Sequence, residues 1–193
     1  TLDTAFNLDV KGFKQRSVSS PNNEIIIKGP QEAFVESIRV NTSMLRRATN
    51  TENLVIENVL VGKLSKTPCA ICYLKNIANS DLVAEVRYRL NNLEIDTLLS
   101  TGQLEQLICE DNKYNIPQVL STERPDKAAK NLYAGRVVIL VNGNPYCIIL
   151  PATIVDFISS PEDTNLKPIF ANFLKILRFL AMGITLLLPS IYI

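Results

Sequence analysis

Apolar positions recur along this chain with two periods, and they divide it into strands and helices. Residues 54–64 and 69–75 are branched, apolar runs on either side of Ser65-Lys66-Thr67-Pro68, which predicts a β-hairpin. A second pair of apolar runs flanks Asn142-Gly143 in RVVILVNGNPYCIIL. Asn-Gly is the preferred pair for a two-residue type I′ turn, whose central residues both take positive φ. These two strands lack polar alternation, so they belong at the centre of a sheet covered on both faces. Stripes of period 3.6 predict the helices. Phe34, Ile38 and Leu45 form one within a helix expected over 28–47, opened by Lys28-Gly29-Pro30-Gln31-Glu32, with Pro in the first turn and Glu32 and Glu36 at the positive end of the helix dipole. Leu82, Val83, Val86 and Leu90 form another behind the candidate caps Asn79-Ser80-Asp81, with Glu85 and Arg89 spaced as a favourable i,i+4 pair. Further helices are expected at 101–109 and 126–133, and a short strand at 116–120. The order strand, strand, helix, helix, strand, helix, strand, strand gives an α/β (mixed α+β) class: a small mixed-sheet domain with flanking helices over 28–152.

On either side of that domain the pattern changes. Residues 1–17 read as paired strands, so 1–18 are expected to be the terminal strands of a preceding N-terminal subdomain, and the polar, Pro/Asn-rich stretch 19–27 a linker. Ser160-Pro161-Glu162-Asp163 carries a cap, a Pro and two early acids, which opens an amphipathic helix over 160–178. Ile169, Phe170, Phe173, Leu174, Leu177 and Leu180 form its apolar stripe, opposed by Lys167, Asn172 and Lys175, and Pro168 is expected to kink it or split it into a first turn and a new start. From 179 to 193 fifteen residues carry no charge, whereas a full membrane span needs about 20. The run reads as the start of a transmembrane helix, and Lys167, Lys175 and Arg178 before it place the domain on the cytoplasmic side. Both ends of the chain read as cut from a longer protein. A buried C-terminal core helix is the competing reading.

Composition removes many function classes. The chain has no His, which takes away the usual general base, the Ser/His and Cys/His nucleophile pairs and mixed Cys/His zinc sites. Twenty basic against nineteen acidic residues give a net charge of +1, and nothing in that balance points to nucleic acid. Gly is scarce and no phosphate-cradling motif is present. Cys69-Ala-Ile-Cys72 has a redox or zinc spacing, but it lies in an apolar strand, where positions i and i+3 face opposite ways; both thiols are expected to be core. Neither cofactor nor metal is expected. Asn41 occupies a gap in the first helix's apolar stripe and must tie that helix to a neighbouring backbone. Arg39, Arg46 and Arg47 gather on another face with Glu36. In Thr122-Glu123-Arg124-Pro125-Asp126 the proline holds Arg124 extended, and the cluster serves either as a capped loop or as an interface.

Seven blocks in one order carry a resemblance. GPQEAFVESIRVNTSMLRR from Gly29, VGKLSKT from Val61, YLKNIAN from Tyr73, STERPDK from Ser121, AGRVVILVNGNPYCIILPAT from Ala134, SSPED from Ser159 and RFLAMGITLLLPSIYI from Arg178 resemble the A subunit of the GerA family of spore germinant receptors, over 28–193. The resemblance implies a non-enzymatic integral protein of the spore inner membrane, with two hydrophilic N-terminal subdomains on the cytoplasmic (core) side followed by transmembrane helices. It implies B and C partner subunits, a homo-oligomer of A subunits acting as an ion channel, and nutrient signal transduction in spore germination. The chain departs from the family at Thr164-Asn165-Leu166-Lys167-Pro168, where the family's helix continues with aromatic residues. On this reading Glu32, Glu36, Arg39, Asn41, Arg46, Arg47, Glu123 and Arg124 are the candidate contacts between domains or subunits. The alternative is a nutrient-binding module with its ligand in the cleft between the two subdomains. A monotopic membrane enzyme using acids and Lys is a third class.

Overall fold

The computed structural model describes residues 18–21, 23–25, 29–109, 117–158, 163 and 167–192. In chain order these form α1 (Ile38–Thr49), β1 (Leu54–Val61), β2 (Thr67–Leu74), α2 (Ser80–Asn91), α3 (Thr101–Ile108), β3 (Leu120–Thr122), α4 (Pro125–Tyr133), β4 (Val137–Val141), β5 (Cys147–Leu150), α5 (Ile154–Ile158) and α6 (Pro168–Tyr192). The strands make one five-stranded sheet in the order β1-β2-β4-β5-β3. The α/β class and the flanking helices are those the element order predicts, and every pairing is antiparallel, so the sheet itself is not mixed. The strands expected within 1–17 lie outside the described residues, as do 110–116 and 159–162.

Alternate side chains of the central strands feed two cores, which is why β4 shows no polar alternation: all five of its residues are buried. On one face Cys72, Leu140 and Ile149 pack with Phe34, Leu45 and Leu132 under α1 and α4. On the other Ile71, Ile139 and Ile148 pack with Val86, Leu90 and Leu104 under α2 and α3. The Asn79 side chain caps α2 by accepting from the Asp81 amide at 2.8 Å, and Glu85 pairs with Arg89 at 2.6 Å, both as the local pattern predicts.

Three local expectations are corrected, the first being the short strand expected at 116–120, which lies instead at Leu120–Thr122. The helix expected from 28 begins only at Ile38, and Glu32 and Glu36 lie before it, not in its first turn. Residues 29–37 are non-helical because their amides are spoken for elsewhere: Ala33 N–H donates to the Ser19 carbonyl (3.0 Å), Phe34 N–H to the Glu123 carbonyl (2.8 Å) and Val35 N–H to Asn41 Oδ1 (2.8 Å). A side chain that offers the backbone such a partner competes with helix formation. The Asn142-Gly143 connection is longer than a two-residue turn, with β4 ending at Val141 and β5 starting at Cys147. Gly143 takes the positive φ of 86° that favours glycine, while Asn142 does not. Asn142 has another task. Ser37 makes no side-chain cap, and Asn142 Oδ1 instead accepts from the Ile38 amide at 3.2 Å, capping α1 from across the fold.

Asn41 ties α1 to the preceding segment as expected. It is 1 % exposed, accepts from Val35 N–H at 2.8 Å and donates through Nδ2 to the Val35 carbonyl at 2.5 Å. Asn41→Leu keeps the volume and strands both buried Val35 groups, so the domain is expected to lose about 2–3 kcal/mol in a urea titration. A loss below ~0.5 kcal/mol contradicts this role, since surface substitutions reach that much.

α6 is one 25-residue helix that starts at Pro168, the position where the missing N–H costs no helical bond. Of the two outcomes foreseen for Pro168, this is the new start. Among the described residues α6 is the one helix long and apolar enough to cross a membrane, and only 6 % of its window Pro168–Thr185 is buried. That exposure makes α6 a candidate membrane span and counts against the core-helix reading, which needs the apolar side chains covered.

Candidate functional site

The eight candidate residues separate into two groups. Glu32, Glu36, Arg39, Arg46 and Arg47 are exposed, on α1 or the segment leading into it. Arg39 and Arg46 lie two turns apart on one face, and neither enters an ion pair among the described residues. Arg47 pairs with Glu32, but both side chains are more than half exposed, and such pairs contribute little. Between the two arginines the Thr42 and Ser43 hydroxyls turn back onto the Arg39 carbonyl, at 3.0 and 2.9 Å.

The second group faces inward. Besides Asn41 it contains Glu123 and Arg124, which are 4 % and 3 % exposed. Glu123 Oε1 accepts from the amides of Asn23 at 2.6 Å and Glu24 at 3.0 Å. The Glu24 carboxylate in turn accepts from the Thr122 hydroxyl and pairs with Lys127 Nζ at 2.6 Å. Arg124 Nε donates to Asp126 Oδ1 at 3.1 Å and its Nη2 to Oδ2, whereas Nη1 is buried with no hydrogen-bond partner among the described residues. This constellation latches Asn23 and Glu24, within the stretch 19–27 expected as linker, onto the β3–α4 junction. Thr122 belongs to the polar cluster read from the sequence, whereas its partners in this latch, Glu24 and Lys127, carry no local signal, since Glu24 lies about a hundred positions away.

Beside the exposed face, a groove of about 550 Å³ runs between α1 and α4. Met44, Ala48, Ala129 and Tyr133 line it, and Arg47 and Lys130 contribute charge. The Tyr133 hydroxyl donates to the Thr49 carbonyl and joins the two helices.

Two carboxyls among the described residues, Glu57 and Asp156, are displaced from their ordinary range, both downward. Hydrogen bonds from Arg87 at 2.8 and 2.9 Å, opposed by burial and joined by the Tyr73 hydroxyl, hold Glu57 below the usual range. Burial pushes the Asp156 carboxyl up, but Thr153 and the Arg136 guanidinium together outweigh it and leave it lowered. Cys69 and Cys72 lie in opposite cores, and burial lifts both thiols to about 12. Cys147 is raised for the same reason. A thiol reagent is therefore expected to leave these three unmodified in the folded chain and to label them after unfolding in guanidinium. Rapid labelling of the native protein at any of them contradicts the core assignment.

The family model described as Bacillus/Clostridium GerA spore germination protein matches residues 1–193. Spore germination protein B1 of Bacillus subtilis (strain 168) is 42% identical over 186 residues, which cover 96% of this chain and 38% of that protein. Spore germination protein A1 of the same organism is 38% identical over 193 residues, 100% of this chain and 40% of that protein. The chain thus spans about two fifths of the length of these relatives. The crystal structure of the N-terminal domain of the A subunit of the Bacillus megaterium spore germinant receptor GerK3 is similar, with a TM-score of 0.52 and 42% identity, covering 63% of this chain and 97% of that one. A family match along the whole sequence, with relatives at this identity, establishes that the chain belongs to the GerA family of spore germination proteins, as a non-enzymatic stretch like the N-terminal domain of a germinant-receptor A subunit.

Proposed function

We propose that residues 28–152 form a cytoplasmic domain of a germinant-receptor A subunit in the spore inner membrane, with α6 entering that membrane. The domain assembles A subunits with one another and with B and C subunits, and it transmits the nutrient signal to the channel they form. Lys167, just before α6, and Lys175 and Arg178, in its first half and ahead of the charge-free run, support the cytoplasmic side. The observation that carries the assembly role is the Arg39–Arg46 row. Two exposed arginines two turns apart, with no acidic partner among the described residues, do little for an isolated domain, while an acidic surface of another subunit gives them steering and register. Asn41 and the Glu123–Arg124 pair act behind this face: they set the path of the chain into α1 and hold the linker against the domain.

Ser43 lies between the two arginines and is exposed, and Cys69, Cys72 and Cys147 are buried. Cys109 is only partly buried, so Ser43→Cys combined with Cys109→Ser in the full-length receptor is expected to cross-link to another receptor subunit when spore membranes are treated with a maleimide–benzophenone reagent, whose photoactivated arm needs no second thiol. Modification without a cross-link contradicts the interface.

A second reading rests on the α1–α4 groove, whose apolar lining and charged edge suit a small nutrient. On that reading the Arg39–Arg46 row is incidental, and substitutions in it alter at most the nutrient concentration required.

A further inference from the structure

α5 is a short helix that exposes three large apolar side chains: Ile154 and Val155 are each 62 % exposed and Phe157 is 51 %. Its orientation is fixed from the polar side. Asp156 Oδ2 accepts from the Thr153 amide at 2.7 Å and the Thr153 hydroxyl at 2.6 Å, the acid's half of a capping box, and the Asp156 amide donates to the Thr153 carbonyl at 2.9 Å, a backbone turn. Arg136 Nη1, just before β4, lies 2.8 Å from the same oxygen, an ion pair whose N–H is not aligned as a hydrogen bond. The Asp156 and Arg136 side chains are only 21 % and 16 % exposed. The helix is thus held to the sheet domain by its polar side, with Ile154, Val155 and Phe157 each more than half exposed.

What covers them is indicated by the next element. α5 packs against α6, whose Ile169, Phe170 and Phe173 are exposed near its start. The two helices together extend the apolar surface of the membrane helix onto the sheet domain, with Lys167 and Lys175 beside it for anionic headgroups. We propose that α5 is an interfacial foot: Ile154, Val155 and Phe157 enter the headgroup–acyl boundary of the bilayer that α6 crosses, and the Asp156–Arg136 pair transmits that contact to the sheet. The inference rests on the reading of α6 as a membrane helix and adds to it a fixed distance and tilt of the domain over the lipid. Side chains of an interfacial helix lie roughly 5–10 Å into the boundary.

The chain contains no Trp, so each introduced one is a sole reporter. The full chain carrying Phe157→Trp, and separately Ile154→Trp, is reconstituted into phosphatidylcholine/phosphatidylglycerol vesicles with and without lipids brominated high on the acyl chain. Phe179→Trp reports on α6 and Tyr88→Trp on the exposed side of α2. The expected result is a blue-shifted emission that loses most of its intensity in brominated vesicles for positions 154, 157 and 179, with position 88 unchanged. Quenching at 179 combined with solvent-like emission at 154 and 157 overturns the foot and leaves the membrane helix standing. A blue shift at 154 and 157 without bromolipid quenching also overturns it, since protein then covers α5. Absence of quenching at 179 overturns the membrane reading and the foot with it.

Discussion

Glu123→Ala is expected to lower the stability of the domain by about 3–5 kcal/mol, because hydrogen bonds to a charged group are worth ~1.5–3 kcal/mol each and two amides lose theirs. The carboxylate is 4 % exposed and accepts from Asn23 and Glu24, so its removal strands their N–H groups and leaves the Glu24–Lys127 pair with no fixed backbone beneath it. Two readouts distinguish a latch from a general packing loss. Proteolysis is expected to cut within 19–25 before the domain unfolds, since these residues lose the contacts that hold them. Glu123→Gln, which keeps one side-chain acceptor, is expected to recover most of the resistance. A variant that melts early without early cleavage at 19–25 contradicts the latch. This prediction replaces any use of Glu123 as a surface contact between subunits: reversing its charge would damage the fold first.

The local elements were legible where the chain's own neighbours decide them. The β1–β2 hairpin, the caps and ion pair of α2, and the buried character of β4 and β5 follow from period, cap chemistry and apolar runs within short windows. The face separation of Cys69 and Cys72 follows from strand geometry alone. What escaped was set by partners far along the chain. Residues 29–37 carry a helix-like stripe through Phe34, yet Ser19, Asn41 and Glu123 take their amides. Asn142-Gly143 reads as a tight turn, yet Asn142 is engaged as the cap of α1, 104 positions away from Ile38.

The candidate site was legible to the same degree. The period of α1 placed Arg39 and Arg46 on one face and gave Asn41 a buried bonding role, both from spacing within a single helix. Glu123 and Arg124 stood out by composition, but a polar loop cluster does not reveal which way it faces. Its partners at 23 and 24 are about a hundred positions distant, beyond the reach of any local pattern. α5 was not foreseen, because a helix of five residues is too short to display a period.

Arg46→Glu carries the largest expected functional effect. Arg46 is exposed near the end of α1, where it stabilises the helix only through the weak attraction between a cation and the negative end of the dipole, about 0.3–1 kcal/mol. The melting temperature of the domain should therefore change by no more than a few degrees. At an interface the same exchange sets like charges face to face, and truncating one member of a buried charge pair already costs about 2–5 kcal/mol, enough to empty the assembled state. Function is expected to fail while the fold survives. The measurement that tests this account most directly is the germination of spores whose receptor carries Arg46→Glu, scored against every nutrient the receptor answers, together with the amount of receptor in the inner membrane. The account predicts loss of response to all of those nutrients and a lowered receptor level, with the melting temperature of the domain retained. A receptor present at its normal level that answers the same nutrients at a shifted concentration would contradict it and place the function of this domain in the α1–α4 groove.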